Sequence, residues 1–394
     1  MSPARRRRRV NVRRRRFIAA LLLVTLVVLG LKSLGVSFGL PGSSTTTSSS
    51  TTSSTTTSTL PPTSSTSTST STSTTTSTTP PTTTTTPSSF AVGVTSYLEN
   101  EPAGPHNGLR VFPVTVRYPA EGTPGLVQAG LHPYRDAGTF PLLVFSAGFE
   151  LAPETYAGLL DAWAAAGYIV ASPTYPLTVP GPNVQVLETD IVHHPGDLSA
   201  VLNTLIADNS YDGSRFHELI NTNEIGVVGQ SDGGDVSLAT VANTCCRDPR
   251  VRAAAILSGA ELSWFPGTYF TSGSTPLLVA QGTNDLLLNP VSCSTQIYDH
   301  APAPKYYLSL LNQTHLSAYV PAGPERSIVA ATTINFFNAY LKNETGALAA
   351  MTSAGNNPGL STLTNQAFVP GPPPIVKGKQ SCPDSPYGLS AAAG

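Results

Sequence analysis

The stretch Glu224–Gly234, EIGVVGQSDGG, decides the fold of this 394-residue chain. Its first half is a short apolar run of the kind that forms a strand buried on both faces of a sheet. Its second half has the pattern G-x-S-x-G with Ser231 at the centre, and the helix-compatible run Gly233–Asn243 follows. A strand, a sharp turn and a helix in this order present the serine hydroxyl as a nucleophile. The alternative interpretation is a glycine-rich turn that only caps a helix.

Strand-like and helix-like patterns alternate from Phe90 onward. The predicted strands are Arg110–Tyr118, Pro141–Ser146, Tyr168–Ser172, Glu224–Val228, Val251–Leu257, Pro276–Ala280 and Tyr306–Leu311. The predicted helices are Thr155–Ala166, Asp197–Ala207, Gly233–Asn243 and Glu325–Leu341. Because strands separated by helices form parallel β-α-β units, the sequence predicts an α/β fold, a doubly wound and mostly parallel sheet flanked by helices. In such sheets ligands bind at the carboxyl ends of the strands, so functional residues are expected in the loops that follow strands.

Two such loops supply the groups that a serine nucleophile needs. A serine hydroxyl attacks an ester only with a neighbouring base and an acid that orients the base. Asp285 follows the strand Pro276–Ala280, and His315 follows the strand Tyr306–Leu311. The chain order serine, acid, histidine predicts a catalytic triad of Ser231, Asp285 and His315. The competing interpretations are a helix N-cap for the aspartate and an ordinary loop residue for the histidine.

Acyl transfer also needs hydrogen-bond donors for the oxyanion of the tetrahedral intermediate. One predicted donor is the backbone amide of Asp232, the residue after the nucleophile, and the other is the amide of Phe149, after the second predicted strand. A carboxylate beside an oxyanion is unfavourable, so the Asp232 side chain is expected to point away or to be neutralised. The aromatic stretch Glu261–Phe270 offers Trp264 and Phe265 as candidate substrate-binding residues, with core packing as the alternative.

Together these segments resemble a known group of enzymes. The segments are RVFPVTVRYPA (110–120), PLLVFSAGF (141–149), GVVGQSDGG (226–234), LLVAQGTND (277–285) and NQTH (312–315). They are similar, in the same order, to segments of α/β-hydrolases of the dienelactone-hydrolase-like kind. That neighbourhood includes platelet-activating-factor acetylhydrolases, chlorophyllase-like proteins and cutinase-like serine esterases. The resemblance spans about residues 90–341.

The resemblance implies hydrolysis of carboxylic esters through an acyl-enzyme. Ser231 would be the nucleophile, His315 the general base and acid, and Asp285 the residue that orients His315, with Phe149 and Asp232 supplying the oxyanion amides. The oxyanion loop departs from the His-Gly common in the group, and no cysteine nucleophile is present, which argues against the dienelactone reaction itself. Two other functional classes stay open: a peptidase or acyltransferase with the same triad, and a non-catalytic binding module at the cell surface.

The first 89 residues have the composition of a targeting segment and a tether. A basic segment (1–16) precedes an apolar one (17–40), which predicts a signal anchor that leaves the rest of the chain extracytoplasmic at the cell membrane. A cleaved signal peptide, and hence secretion, is the alternative. Residues 41–89 are nearly all Ser, Thr and Pro, which predicts a disordered linker. The hydrolase domain is predicted at 90–354 and a Pro/Gly-rich tail at 355–394.

Charge and motifs limit the partners. Ten of the 22 basic residues lie at or before Lys32, so the remainder of the chain is acidic, with 12 basic residues against 23 acidic ones. Nucleic-acid binding needs clustered cations, and the sequence after residue 89 has no such cluster. Without a phosphate loop, dinucleotide fingerprint or metal-ligand motif, no cofactor and no metal are predicted. The expected partners are a small-molecule or polymeric ester and, through the N-terminal segment, a membrane.

Four cysteines are expected to form disulfides outside the membrane, with free buried thiols as the alternative. They are Cys245, Cys246, Cys293 and Cys382. A bond between the neighbours Cys245 and Cys246 would be strained, so the sequence favours long-range pairs. One such pair would fix the tail through Cys382.

Overall fold

A computed structural model describes residues 89–101, 110–182, 184–271, 273–286, 289–367 and 382 of the chain. The predicted basic segment, the membrane segment and the linker up to residue 88 lie outside the described residues, as does most of the predicted tail. Their roles therefore stay predictions. Within the described ranges, no helix combines the length and the apolar character needed to cross a membrane.

Ten strands in the described part of the chain form one sheet. They are β1 Ala91–Glu101, β2 Arg110–Ala120, β3 Val127–Ala129, β4 Phe140–Ser146, β5 Ile169–Pro173, β6 Ile220–Gln230, β7 Val251–Leu257, β8 Leu277–Gly282, β9 Lys305–Leu310 and β10 Ser361–Thr364. Their order across the sheet is β10-β9-β8-β7-β6-β4-β5-β2-β1-β3. Strands β4 to β9 run parallel, whereas β2 is antiparallel to both of its neighbours and β10 is antiparallel to β9. The prediction of an α/β fold with a mostly parallel sheet is confirmed.

Helices cover both faces of this sheet. The α-helices are α1 Ala157–Ala165, α2 His194–Ser210, α3 Asp232–Ala242, α4 Val291–His300, α5 Pro324–Tyr340 and α6 Ala347–Gly355. Side chains of successive strand residues point to opposite faces, so Ile169 and Ala171 join one hydrophobic cluster and Val170 joins the other. The first cluster contains residues of α2, α3 and α4, and the second contains residues of α1, α5 and α6. Burial on both faces explains why the central strands are almost continuously apolar.

The globular unit extends beyond its predicted end at residue 354. β10 pairs with β9 and adds an edge strand to the sheet, and the Leu311 backbone amide donates a 2.8 Å hydrogen bond to the Leu360 carbonyl. The boundary at residue 354 was therefore placed too early. The sequence of β10, Ser361–Thr364, gives little apolar signal because an edge strand contacts the core along only part of its surface.

Both pairs of cysteines form disulfides in the structure, in the combination Cys245–Cys246 and Cys293–Cys382. The bond to Cys382 has the expected role, since it fixes a residue of the tail to α4. The expectation that the neighbours would not pair was wrong. Cys293 pairs with Cys382 of the tail, which leaves Cys245 and Cys246 to pair with each other. These two lie in a turn where the Asn243 side chain accepts a 3.0 Å hydrogen bond from the Cys245 amide.

Candidate active site

Ser231 occupies a sharp turn between β6 and α3, at the carboxyl edge of the sheet. Its backbone has φ 58° and ψ −127°, a conformation that costs a non-glycine residue about 1–3 kcal/mol and is found mainly where function maintains it. The Ser231 amide donates to the Leu257 carbonyl at 2.9 Å, and its carbonyl accepts from the Asp235 amide at 3.0 Å. These bonds hold the turn rigidly and leave the side chain at a partly exposed position.

Two glycines make this turn sterically feasible. A Cβ atom on Gly229 would lie 1.9 Å from the carbonyl oxygen of Gly233. A Cβ atom on Gly233 would lie 1.9 Å from the carbonyl oxygen of Ser146 at the end of β4. Real Cβ atoms do not approach so closely, so both glycines of the G-x-S-x-G pattern are required by the close approach of β6, α3 and β4.

Asp285 and His315 are in direct contact. The Nδ1 atom of His315 lies 2.6 Å from a carboxylate oxygen of Asp285, and the two residues are buried, with 7% and 2% of their surfaces exposed. Gln281 Nε2 donates to the same carboxylate at 3.1 Å, and the Asn289 amide donates to its other oxygen at 3.3 Å. The carboxylate is thus fixed on both sides and contacts the imidazole at its Nδ1 atom.

The loops after β8 and β9 bring this pair together because they pack on each other. A Cβ atom on Gly282 would lie 2.4 Å from the carbonyl oxygen of Gln313. The Thr283 amide donates to the Leu310 carbonyl at 2.9 Å, and the Asn284 amide donates to Gln313 at 2.9 Å. The two residues therefore meet although 30 positions separate them in the chain.

Ser231 and His315 are linked through the residue that precedes the serine. Gln230 Nε2 donates a buried 3.0 Å hydrogen bond to the His315 carbonyl. The hydrogen bonds of the described residues do not include one between the Ser231 hydroxyl and the His315 ring.

The loop after β4 lies against the serine turn. A Cβ atom on Gly148 would lie 3.2 Å from Ser231 Cβ and 3.0 Å from Gln230 Oε1. Phe149, the next residue, is therefore carried close to the serine and is partly exposed. Asp232, the other predicted oxyanion residue, follows Ser231 directly and begins α3.

Burial favours the neutral form of the Asp232 side chain. The residue is 6% exposed, and its Oδ2 atom has no hydrogen-bond partner among the described residues. Burial raises the pKa of this carboxyl to about 7, against the opposing effect of nearby His315. The pKa of Asp235, one turn further along α3, is also raised by burial and by Asp232. A protonated carboxyl removes the unfavourable charge that the sequence alone could not explain.

Trp264 and Phe265 lie in the core. Their exposed fractions are 8% and 2%, and both belong to the hydrophobic cluster that covers α3. Side chains so deeply buried have almost no surface left for a substrate. Their placement favours the packing interpretation over the predicted role in substrate binding.

Sequence reasoning missed two buried polar residues behind the serine. Tyr156, at the end of a 3-10 helix over Pro153–Tyr156, donates from its hydroxyl to Gln230 Oε1 at 2.6 Å. Both residues are completely buried. The available signal was the position of Gln230 directly before Ser231, where a polar side chain ends an apolar strand. Nothing in the sequence around Tyr156 points to this contact.

A second network of polar side chains joins the start of β2 to α2 and to the residues just before α2. Arg110 makes ion pairs with Asp190 at 2.8 Å and Asp197 at 2.6 Å. The ring of His194 stacks on Tyr175 with centroids 4.3 Å apart, and burial lowers the pKa of His194. These contacts account for His194 as a residue that packs the core.

The described residues hold no group of three or more His, Cys, Asp or Glu side chains arranged to bind a metal ion. Comparison with known proteins adds nothing to this geometry, because no protein-family model and no curated protein matches the chain.

Proposed function

We propose that the chain is a serine hydrolase of the α/β-hydrolase fold that cleaves carboxylic esters through an acyl-enzyme. The observation that carries the proposal is the buried 2.6 Å hydrogen bond between His315 and Asp285, at the same sheet edge as the strained Ser231 turn. A strand, a strained turn with a serine at its tip and a helix, followed by an acid and a histidine in that order, is the arrangement of the α/β-hydrolase nucleophile.

In the proposed reaction, His315 Nε2 takes the hydroxyl proton of Ser231 as the oxygen attacks the ester carbonyl. Asp285 accepts a hydrogen bond from the Nδ1–H group of His315 and stabilises the imidazolium that forms. The amides of Phe149 and Asp232 donate to the oxyanion. His315 then gives its proton to the departing alcohol, and a water molecule, activated by the same imidazole, releases the acid from the acyl-serine.

A neutral Asp232 side chain supports this scheme. Asp232 also supplies one of the two proposed oxyanion amides. An ionised carboxylate on the same residue would oppose the negative charge that develops in the transition state. Burial raises the pKa of Asp232 to about 7, so the carboxyl is mostly protonated below that pH.

The test is hydrolysis of p-nitrophenyl acetate, butyrate, octanoate and laurate by the full-length protein, beside Ser231→Ala. We expect wild-type turnover and a loss of about a thousandfold or more in the variant. A fluorophosphonate should label the wild type and fail to label Ser231→Ala. Ser210→Ala, a change at an exposed position of α2, is the matched control and should retain full activity and labelling.

The other functional classes give different results in the same experiment. Labelling of Ser231 without ester turnover would favour a peptidase or an acyltransferase. Folded wild-type protein that neither turns over esters nor becomes labelled would refute the hydrolase proposal, and the binding-module interpretation would replace it.

A further inference from the structure

A chain of buried hydrogen bonds runs from Tyr156, which lies beside the loop after β4, to the backbone of His315. Gln230 Nε2 donates to the His315 carbonyl at 3.0 Å, and Gln230 Oε1 accepts from the Tyr156 hydroxyl at 2.6 Å. The backbone of Gly148 lies near the Tyr156 hydroxyl. Tyr156, just before α1, and Gln230, at the end of β6, thus connect the loop after β4 with the loop that carries His315. Both loops border Ser231.

The His315 carbonyl determines which atoms donate and which accept in this series of hydrogen bonds. A backbone carbonyl only accepts, so the Gln230 amide must present its nitrogen to His315 and its oxygen to Tyr156. Burial raises the pKa of the Tyr156 phenol, which keeps its proton available for Gln230. Each polar atom has a partner of the right kind, which is the condition under which a buried network rigidifies its surroundings.

The sheet itself provides no direct link of this kind. β9, which leads to His315, is separated from β6 by β7 and β8, so no backbone ladder joins the Ser231 turn to the histidine loop. The Gln230 side chain bridges that gap. Gly148 packs closely against the same glutamine, since a Cβ atom on Gly148 would lie 3.0 Å from Gln230 Oε1.

We propose that Tyr156 and Gln230 are positioning residues that hold the oxyanion loop and His315 at the spacing required around Ser231 in the transition state. The inference rests on the proposed esterase function. It assigns to the two residues a role in rate rather than in substrate affinity, because they lie behind the serine and are fully buried. A displacement of either loop changes how well the transition state is bound, and small misplacements of this kind reduce rates strongly.

The test compares Tyr156→Phe, Gln230→Met and the double variant in the full-length protein, with p-nitrophenyl butyrate as substrate. Each single variant should lower kcat about tenfold to a hundredfold with little change in KM, because a small misplacement of either loop weakens binding of the transition state more than binding of the substrate. A trifluoromethyl ketone, which forms a tetrahedral adduct on the serine, should bind more weakly by the same factor as kcat/KM falls. Because both changes break one chain of bonds, the double variant should lose less than the product of the two single losses.

Tyr307→Phe is the matched control. Its hydroxyl is also buried and forms a 2.8 Å hydrogen bond with Ser294, between β9 and α4 and apart from the Tyr156–His315 chain. This variant should lower the melting temperature and leave kcat, KM and ketone affinity unchanged. If Tyr156→Phe does not fold, Gln230→Met alone decides, because it breaks both bonds of the glutamine and conserves volume.

Folded variants that keep wild-type kcat and ketone affinity would overturn the inference, whatever their melting temperatures. That result differs from failure of the esterase proposal itself. In the latter case the wild-type protein would lack both turnover and fluorophosphonate labelling, and the inference would fall with it.

Discussion

Replacing Asp232 with asparagine should stabilise the protein increasingly as the pH rises. The ordinary pKa of this carboxyl is 3.8, and burial raises it to about 7 in the folded protein. The folded state therefore retains a proton that the unfolded state loses between these values, so wild-type stability falls as the pH rises through this window. At 1.36 kcal/mol for each pH unit, the interval corresponds to about 4 kcal/mol. Asparagine has nearly the same shape and does not ionise, so the free energy of unfolding of the Asp232→Asn variant lacks this decrease with pH.

The measurement is urea unfolding of both proteins at several pH values from 4 to 8. The stability advantage of Asp232→Asn should be small near pH 4, grow through pH 5 and 6, and level off above about pH 7. Asp136→Asn, at an exposed position, is the control and should stay within about 0.5 kcal/mol of wild type throughout. An advantage that does not change with pH would refute the reasoning, because a pH-independent difference cannot arise from a carboxyl that titrates only on unfolding.

Three further substitutions test the site and its support. Asp285→Asn should lower kcat by about ten-thousandfold in ester hydrolysis, because the imidazole loses its correct tautomer; activity within tenfold of wild type would contradict its role. Gly233→Ala should abolish soluble expression or lower the melting temperature sharply, since its Cβ would lie 1.9 Å from the Ser146 carbonyl oxygen, whereas Gly181→Ala meets nothing closer than 3.5 Å and should be tolerated. Cys382→Ser opens a disulfide with a sequence separation of 89 residues and should cost about 2–5 kcal/mol in urea unfolding. An unchanged midpoint would show that the tail bond carries no stability.

The central strands could be predicted from the sequence because burial on both faces leaves a continuous apolar run. Val251–Leu257 was predicted with both of its ends correct, and the other parallel strands were located with ends displaced by up to four residues. β1 and β10 lie near or at the sheet edges and α4 has a largely polar sequence, so their signals were too weak. Edge strands and short polar helices depend on contacts made by the rest of the fold, which a local pattern does not contain.

The site residues were likewise predicted only in part. The residue types and their order predicted Asp285 and His315, and the structure brings those two into contact. Gln230 and Tyr156 were missed because their role depends on contacts across 85 and 74 positions of the chain. Such contacts arise from the crossing of elements in space. The raised pKa of Asp232 could not be predicted from the sequence either, because the burial that causes it is a property of the fold.

The packing of the β8 and β9 loops has a consequence for how this protein can diversify. Gly282 lies against the Gln313 backbone, so the acid and the histidine sit on segments that cannot lengthen or shorten independently. An insertion in either loop would separate the two residues, and natural variants should therefore keep both lengths fixed.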